Sequence, residues 1–237
     1  MAKARTFGRR LLRWLGLFIA GWLVFSVGSV LLMRWVDPWT STFMLRDRTI
    51  ALFSSDNSYR FTHEWVDWAQ IAKSMKVAVI AAEDQTFPQH AGFDFKAMEK
   101  AWRANQRGRK VRGGSTISQQ VAKNLYLWPG QSYVRKGIEA WFTLLVETFW
   151  PKQRILEVYL NSAEFGKGVF GVEAASQRYF RKSAARLSNS EAALLAAVLP
   201  APKRYRVDRP SSYVRARQAW ITRQMSRLGI NRTLQTL

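Results

Sequence analysis

Residues 113–126 read GGSTISQQVAKNLY, a glycine turn that runs straight into helical spacing. Ser115 or Thr116 can cap a helix continuing to about Leu127, because a hydroxyl at that point accepts from a backbone N–H that the helix leaves unpaired. Trp128-Pro129-Gly130 then ends it. Ile117, Val121 and Leu125 fall on one face. Thr116, Gln120, Lys123 and Asn124, spaced i, i+4, i+7 and i+8, form a polar stripe beside it. A helix N-terminus fed by glycines also presents backbone N–H groups to an anion. A stripe ending in Lys can bind sugar hydroxyls and phosphate, although alone it equally describes a helix with one solvated face.

Working outward, the same helical spacing recurs. Ile71, Met75, Ala78 and Ala82 share a face and lead into Glu83-Asp84. Asp94 can cap a helix towards Gln106, followed by a basic, glycine-containing break over 103–114. Ser132 opens a helix through Phe149, and Pro151 suits the first turn of the next, which ends near Asn161. Gly166, Gly168 and Gly171 mark a loop. Ser188-Asn189-Ser190-Glu191 has the form of a capping box, and Pro200 and Pro202 stop the helix it starts. A basic amphipathic helix spans about 211–228. Residues 37–64 look like a connecting segment of mixed polarity, and no strand pattern is strong. The fold class expected is mainly α.

Residues 14–33 carry no charge, and at about 1.5 Å rise per residue they span the roughly 30 Å hydrocarbon core of a bilayer. The tail before them holds Lys3, Arg5, Arg9, Arg10 and Arg13 and no acid, which keeps the N-terminus cytoplasmic by the positive-inside tendency. An uncleaved anchor fits better than a signal peptide, since the apolar stretch is longer than a usual signal-peptide core. The expected organisation is a basic tail (1–13), an anchor (14–35), a connecting segment (36–64) and one exported domain (65–237).

The chain has 37 basic and 16 acidic residues, a formal net charge of +21. Removing the five cations of the tail still leaves twice as many bases as acids. Outside the membrane little nucleic acid is available, so this excess points to anionic lipid or a lipid-linked phosphate. Cysteine is absent, which excludes disulfides, thiolate metal sites and a Cys nucleophile, and two histidines make a His-rich zinc site an unsuitable reading. No P-loop, no Gly-x-Ser-x-Gly elbow and no Ser-x-x-Lys occurs.

Two further constellations bear on chemistry. In residues 83–92, EDQTFPQHAG, a Glu ends an apolar helix beside a second carboxylate. Burial and a like charge both raise a carboxyl pKa, which suits a general base near neutrality. In residues 135–139, RKGIE, Arg135 and Lys136 stand one helical turn before Glu139, either as a surface ion pair or as a pyrophosphate cradle whose cations the Glu orients.

Together with residues 155–161, 165–180 and 188–202, these segments resemble the peptidoglycan glycosyltransferases, specifically the monofunctional, membrane-anchored members, over about 77–205. Ser118 stands where that family often has Thr, which keeps the hydroxyl. The resemblance implies a lysozyme-like helical lobe with a smaller membrane-dipping lobe, located at the inner membrane with the catalytic domain periplasmic. It implies lipid II as substrate, with both it and the growing glycan strand held on undecaprenyl pyrophosphate. Glu83 would be the base that deprotonates the acceptor hydroxyl, with inversion at the donor's anomeric carbon. Glu139 matches the family's second carboxylate and would orient cations or donor. Lys123, Arg135 and Lys136 would stabilise the departing pyrophosphate, and a divalent ion, Mg or Mn, is compatible there. Thr116, Gln120 and Asn124 would contact substrate, and Phe87 and His90 would shape the site. Asp84 would tune Glu83 or cap locally, and Glu157, Tyr159 and Asn161 read as mainly structural. Expected partners are inner-membrane lipids and cell-wall assembly proteins, with no nucleic acid. The rival readings are a lysozyme-like lytic hydrolase, which has no use for a phosphate cradle, and a basic membrane scaffold.

Overall fold

The computed structural model describes residues 2–53, 60–106, 114–130 and 132–237. The chain divides into two compact units, at Asp37 and Pro38. The first is one helix, α1 (Ala2–Met33), of which Arg10–Leu32 is long and apolar enough to cross a membrane, with a mean hydropathy of 2.2.

The second unit is built from helices around two neighbouring cores. The first core centres on α3 (Lys73–Glu83), whose residues from Ser74 to Ala81 are all buried. It packs against α9 (Asn189–Val198) and α10 (Ser212–Leu228), with α11 (Ile230–Leu234) behind. The alanines of α9 let it approach α3 closely, and each Val, Leu or Ile enclosed there contributes about 1.5–3 kcal/mol relative to exposure. Lys76 is buried within this packing. Its ammonium donates to the Trp68 carbonyl at 2.7 Å and lies 3.9 Å from the Trp68 ring centre. Burial lowers its pKa to about 8, with Glu157 opposing.

The second core is made by α5 (Ile117–Tyr126), α6 (Tyr133–Phe149) and α7 (Lys152–Ser162). Their starts follow the sequence. Thr116 accepts from Gln119 N–H and forms a capping box, and Ser132 accepts from Arg135 N–H. Pro151 sits at the cap of α7, one position before the first turn. The Ser188–Glu191 box opens α9, and Ser211 caps α10. Asp94 caps α4 (Phe95–Gln106) through Ala97 N–H, 2.8 Å. This helix reaches into the start of the expected basic break, and 107–113 lie outside the described residues.

Two elements have no signal in the sequence. The connecting segment contains a helix, α2 (Thr42–Phe53), with no apolar stripe to announce it. Tertiary contacts hold it: Met44 and Asp47 are buried, and the Thr42 hydroxyl bonds the carbonyls of Asn124 (3.0 Å) and Leu127 (2.6 Å). There is also a small sheet of β1 (Thr62–His63), β2 (Glu164–Gly166) and β3 (Val169–Phe170), ordered β1-β3-β2. The β2–β3 hairpin turns at Gly168, φ 74°, and β1 pairs parallel to β3 from the far side of the sequence. Strands of two or three residues are too short to show alternation. After them come α8 (Val172–Phe180) and a turn leading to α9.

Candidate active site

Glu83 is the last residue of α3, where the helix delivers a carboxylate from the core to the wall of a cavity of about 340 Å³. Gln120 on α5 donates to its Oε2 at 3.2 Å, and Arg217 on α10 approaches its Oε1 at 3.4 Å. Burial raises the Glu83 pKa, against the opposing pull of Gln120, Arg217 and Lys123. Gln120 is itself aimed by Tyr159, fully buried on α7, whose hydroxyl donates to Oε1 at 3.3 Å.

Asp84 turns the other way. The backbone bends after α3 and brings His90 back onto it. His90 Nδ1 accepts from Gly92 N–H at 3.1 Å, so Nε2 is the donor to Asp84, 3.0 Å from both oxygens. Asp84 Oδ2 also accepts from Ile117 N–H, the first residue of α5, at 3.0 Å. Asp84 therefore caps α5 and fixes the helix that carries Gln120 and Lys123.

Lys123 lies between two clusters. It lines the Glu83 cavity and an adjoining one of about 220 Å³, together with Asn124 and Phe43. Burial lowers its pKa, and it feels Glu139, Arg135, Glu83 and Lys136. On α6, Glu139 is buried and receives both cations: Arg135 at 3.3 Å, and Lys136 through Oε1. The Arg135 side chain is largely enclosed and its Nε–H has no partner, whereas Lys136 is half-exposed. Lys136 is thus the member of the cluster whose ammonium can also reach an anion beyond Glu139.

Of the residues expected at the site, Glu83, Gln120, Lys123 and Asn124 line the cavities, and Arg135, Lys136 and Glu139 form the cluster facing Lys123. Three others are engaged within the protein itself. Phe87 has no exposed surface, and both nitrogens of His90 are engaged. The Thr116 hydroxyl accepts from Gln119 N–H and donates to the Gly92 carbonyl at 2.6 Å. All three hold the loop and helix that frame the site, and Thr116 also lines a neighbouring cavity of about 190 Å³ together with Glu83. Glu157 and Asn161 are structural. Glu157 accepts from Trp68 N–H and pairs with Arg154, and Asn161 clamps Val66 through both ends of its amide. Missed altogether are Arg217, Tyr213 and Trp220 of α10 and Phe43 of α2. Arg217 lies 134 residues from its partner in a helix carrying several other arginines, and no spacing rule distinguishes it. Among the described residues, no three His, Asp or Glu gather as a metal-binding group.

Fold and site define a class: a mainly helical domain behind one apolar helix, with a buried carboxylate over a cationic groove. The family follows from comparison. Residues 49–226 match the transglycosylase family. The chain is 54% identical to the biosynthetic peptidoglycan transglycosylase of Xanthomonas axonopodis pv. citri over 93% of its own length and 91% of that protein's. It is 58% identical to that of Cronobacter sakazakii (93% and 88%) and 56% identical to that of Pasteurella multocida (94% and 89%). The chain belongs to the transglycosylase family, and its domain is lysozyme-like.

Proposed function

We propose that this chain polymerises peptidoglycan glycan strands from lipid II at the bacterial inner membrane, releasing undecaprenyl pyrophosphate. The observation that carries the reading is the position of Lys123 between a buried base, Glu83, and the Arg135–Lys136–Glu139 cluster. Glu83 removes the proton of the acceptor hydroxyl, and that oxygen attacks the donor's anomeric carbon from the face opposite the leaving group. A pyrophosphate departs without a proton when cations stabilise its charge, so no second carboxyl acid is needed. Glu139 already holds two cations and is suited to orienting them rather than to giving up a proton.

The membrane anchor keeps the enzyme where a lipid-linked substrate resides, with the N-terminus cytoplasmic and the larger unit outside. The described residues do not supply a carboxylate set for a divalent cation. An Mg or Mn ion would take its ligands chiefly from the pyrophosphate oxygens, and no step depends on it here.

The test is incubation of the full chain with labelled lipid II, with and without chelator. Wild type is expected to form polymer and Glu83→Gln to lose it by about 10²–10⁴-fold. Shortening of preformed glycan in place of polymer formation would instead establish the lytic reading.

A further inference from the structure

Three adjoining spaces lead away from Glu83 on the side where Arg135, Lys136 and Glu139 contribute no wall. Leu199 and Pro200 line both the Glu83 cavity and the one beside Lys123. Pro202 lines that second cavity and a third, of about 450 Å³, between the β2–β3 hairpin, α8 and the segment after α9. Tyr205 of the third cavity packs on Tyr213 of the first, ring centres 5.2 Å apart. The groove therefore continues well beyond the reacting centre.

The third cavity is built, not a chance hollow. Tyr179 folds across the hairpin with its hydroxyl 3.5 Å from the Phe165 carbonyl. That is possible only because residue 166 is glycine, since a Cβ there would meet the Tyr179 oxygen at 2.0 Å. The walls carry Lys167, Arg178, Lys203 and Arg206 against a single acid, Asp208. Asp208 is committed to Arg206, and Lys203 is held from behind by Asp47 at 2.8 Å and Glu164 at 3.5 Å. Arg178 is exposed and forms no ion pair among the described residues, and Lys167 is exposed at the hairpin turn. Exposed cations beside tyrosine rings suit carboxylates borne on a short, partly apolar chain better than they suit neutral sugar hydroxyls.

We propose that this cavity is a distal subsite for the acidic peptide substituent carried by a sugar of the bound glycan, gripped by Arg178 and Lys167 against the Tyr179 and Tyr205 rings. The proposal rests on the polymerase reading above. It makes substrate charge at a point remote from the reacting bond a determinant of binding. Since Arg178 and Lys167 touch neither Glu83 nor the pyrophosphate cluster, their contribution falls on substrate capture and not on chemistry.

The experiment compares full-length wild type with the Lys167→Ala/Arg178→Ala double variant and with Arg178→Glu. Each is given lipid II with free peptide carboxylates and lipid II with those carboxylates amidated, in both neutral and anionic detergent micelles. Wild type is expected to show the lower KM for the free-carboxylate substrate. The double variant should raise that KM on the order of tenfold, as two exposed charge contacts allow. Its kcat and its KM for the amidated substrate should stay unchanged, and Arg178→Glu should raise the acidic substrate's KM further. Equal losses on both substrates, or no change on either, would overturn the subsite. So would an effect that follows the anionic detergent instead of the peptide, because the cavity would then be a lipid head-group site. If wild type forms no polymer from either substrate, the polymerase reading itself fails, which is a distinct result.

Discussion

At the residue scale, burial and three polar neighbours act on Glu83 in opposite directions. In the role proposed for it Glu83 must be ionised, and burial raises its pKa, so under that proposal activity should be lost on the acid side as pH falls through a value above the ordinary carboxylate range. Arg217 opposes that rise through its charge. Arg217→Ala removes the opposition, and the acid limb of the kcat profile should move to higher pH, with activity recovering as pH is raised. Arg217→Lys should keep part of the effect, its charge retained but its fork lost. A profile recorded for the three proteins checks this, and an unshifted limb in Arg217→Ala would show that the contact does not bear on the base. Arg217 also packs, since it is buried and donates to the Ala82 carbonyl at 3.3 Å. The pH profile separates its electrostatic role from that structural one.

At the element scale, α5 is the site helix, and residues distant in sequence hold it at both ends. A helix leaves its first N–H and last C=O groups without internal partners. Asp84 takes the N–H of Ile117, and Thr42 bonds the carbonyls of Asn124 and Leu127. Between these pins, Gln120, Lys123 and Asn124 face the cavities. Asp84→Ala leaves the His90 and Ile117 N–H groups unpaired in a buried place, and should cost about 2–4 kcal/mol in a denaturant titration. Thr42→Val keeps the shape and should cost about 1 kcal/mol. Activity should fall further in Asp84→Ala, because its end of α5 is the one nearer Gln120 and Glu83. A neutral Asp84→Ala would remove this account of the second acid in 83–92. Asp84 thus bears on the geometry around Glu83 through α5, although it adds no reacting group itself.

At the scale of the whole molecule, the division at Asp37 separates the apolar helix from the unit that holds the cavities. Every cavity-lining residue discussed above belongs to 38–237, and that unit contains both helical cores. A chain comprising 38–237 alone should fold with the far-ultraviolet dichroism of a mainly helical protein and turn over detergent-solubilised lipid II. It should sediment with vesicles much less than the full chain does. Failure to fold would show that α1 is structural as well as an anchor. The excess of basic residues persists in this larger unit, and part of it now has places to act: the cluster on α6 facing Lys123, and the cations around the third cavity.

The sequence by itself determined the apolar span, most of the helices with their caps, and the three motifs whose residues the proposed site draws on. These signals are local: an uncharged run, a hydroxyl before an apolar period, cations one turn from an acid. They are legible because the physics that makes them acts within about ten residues. Tertiary structure alone decided the rest. It placed Arg217 on Glu83, brought Asp84 onto the Ile117 N–H to cap α5, folded His90 back onto Asp84, enclosed Phe87 and Thr116, and stabilised α2 and the three short strands. Each of these depends on which surfaces meet after the helices pack. A carboxylate's partner and its exposure are properties of that meeting, and no residue spacing encodes them.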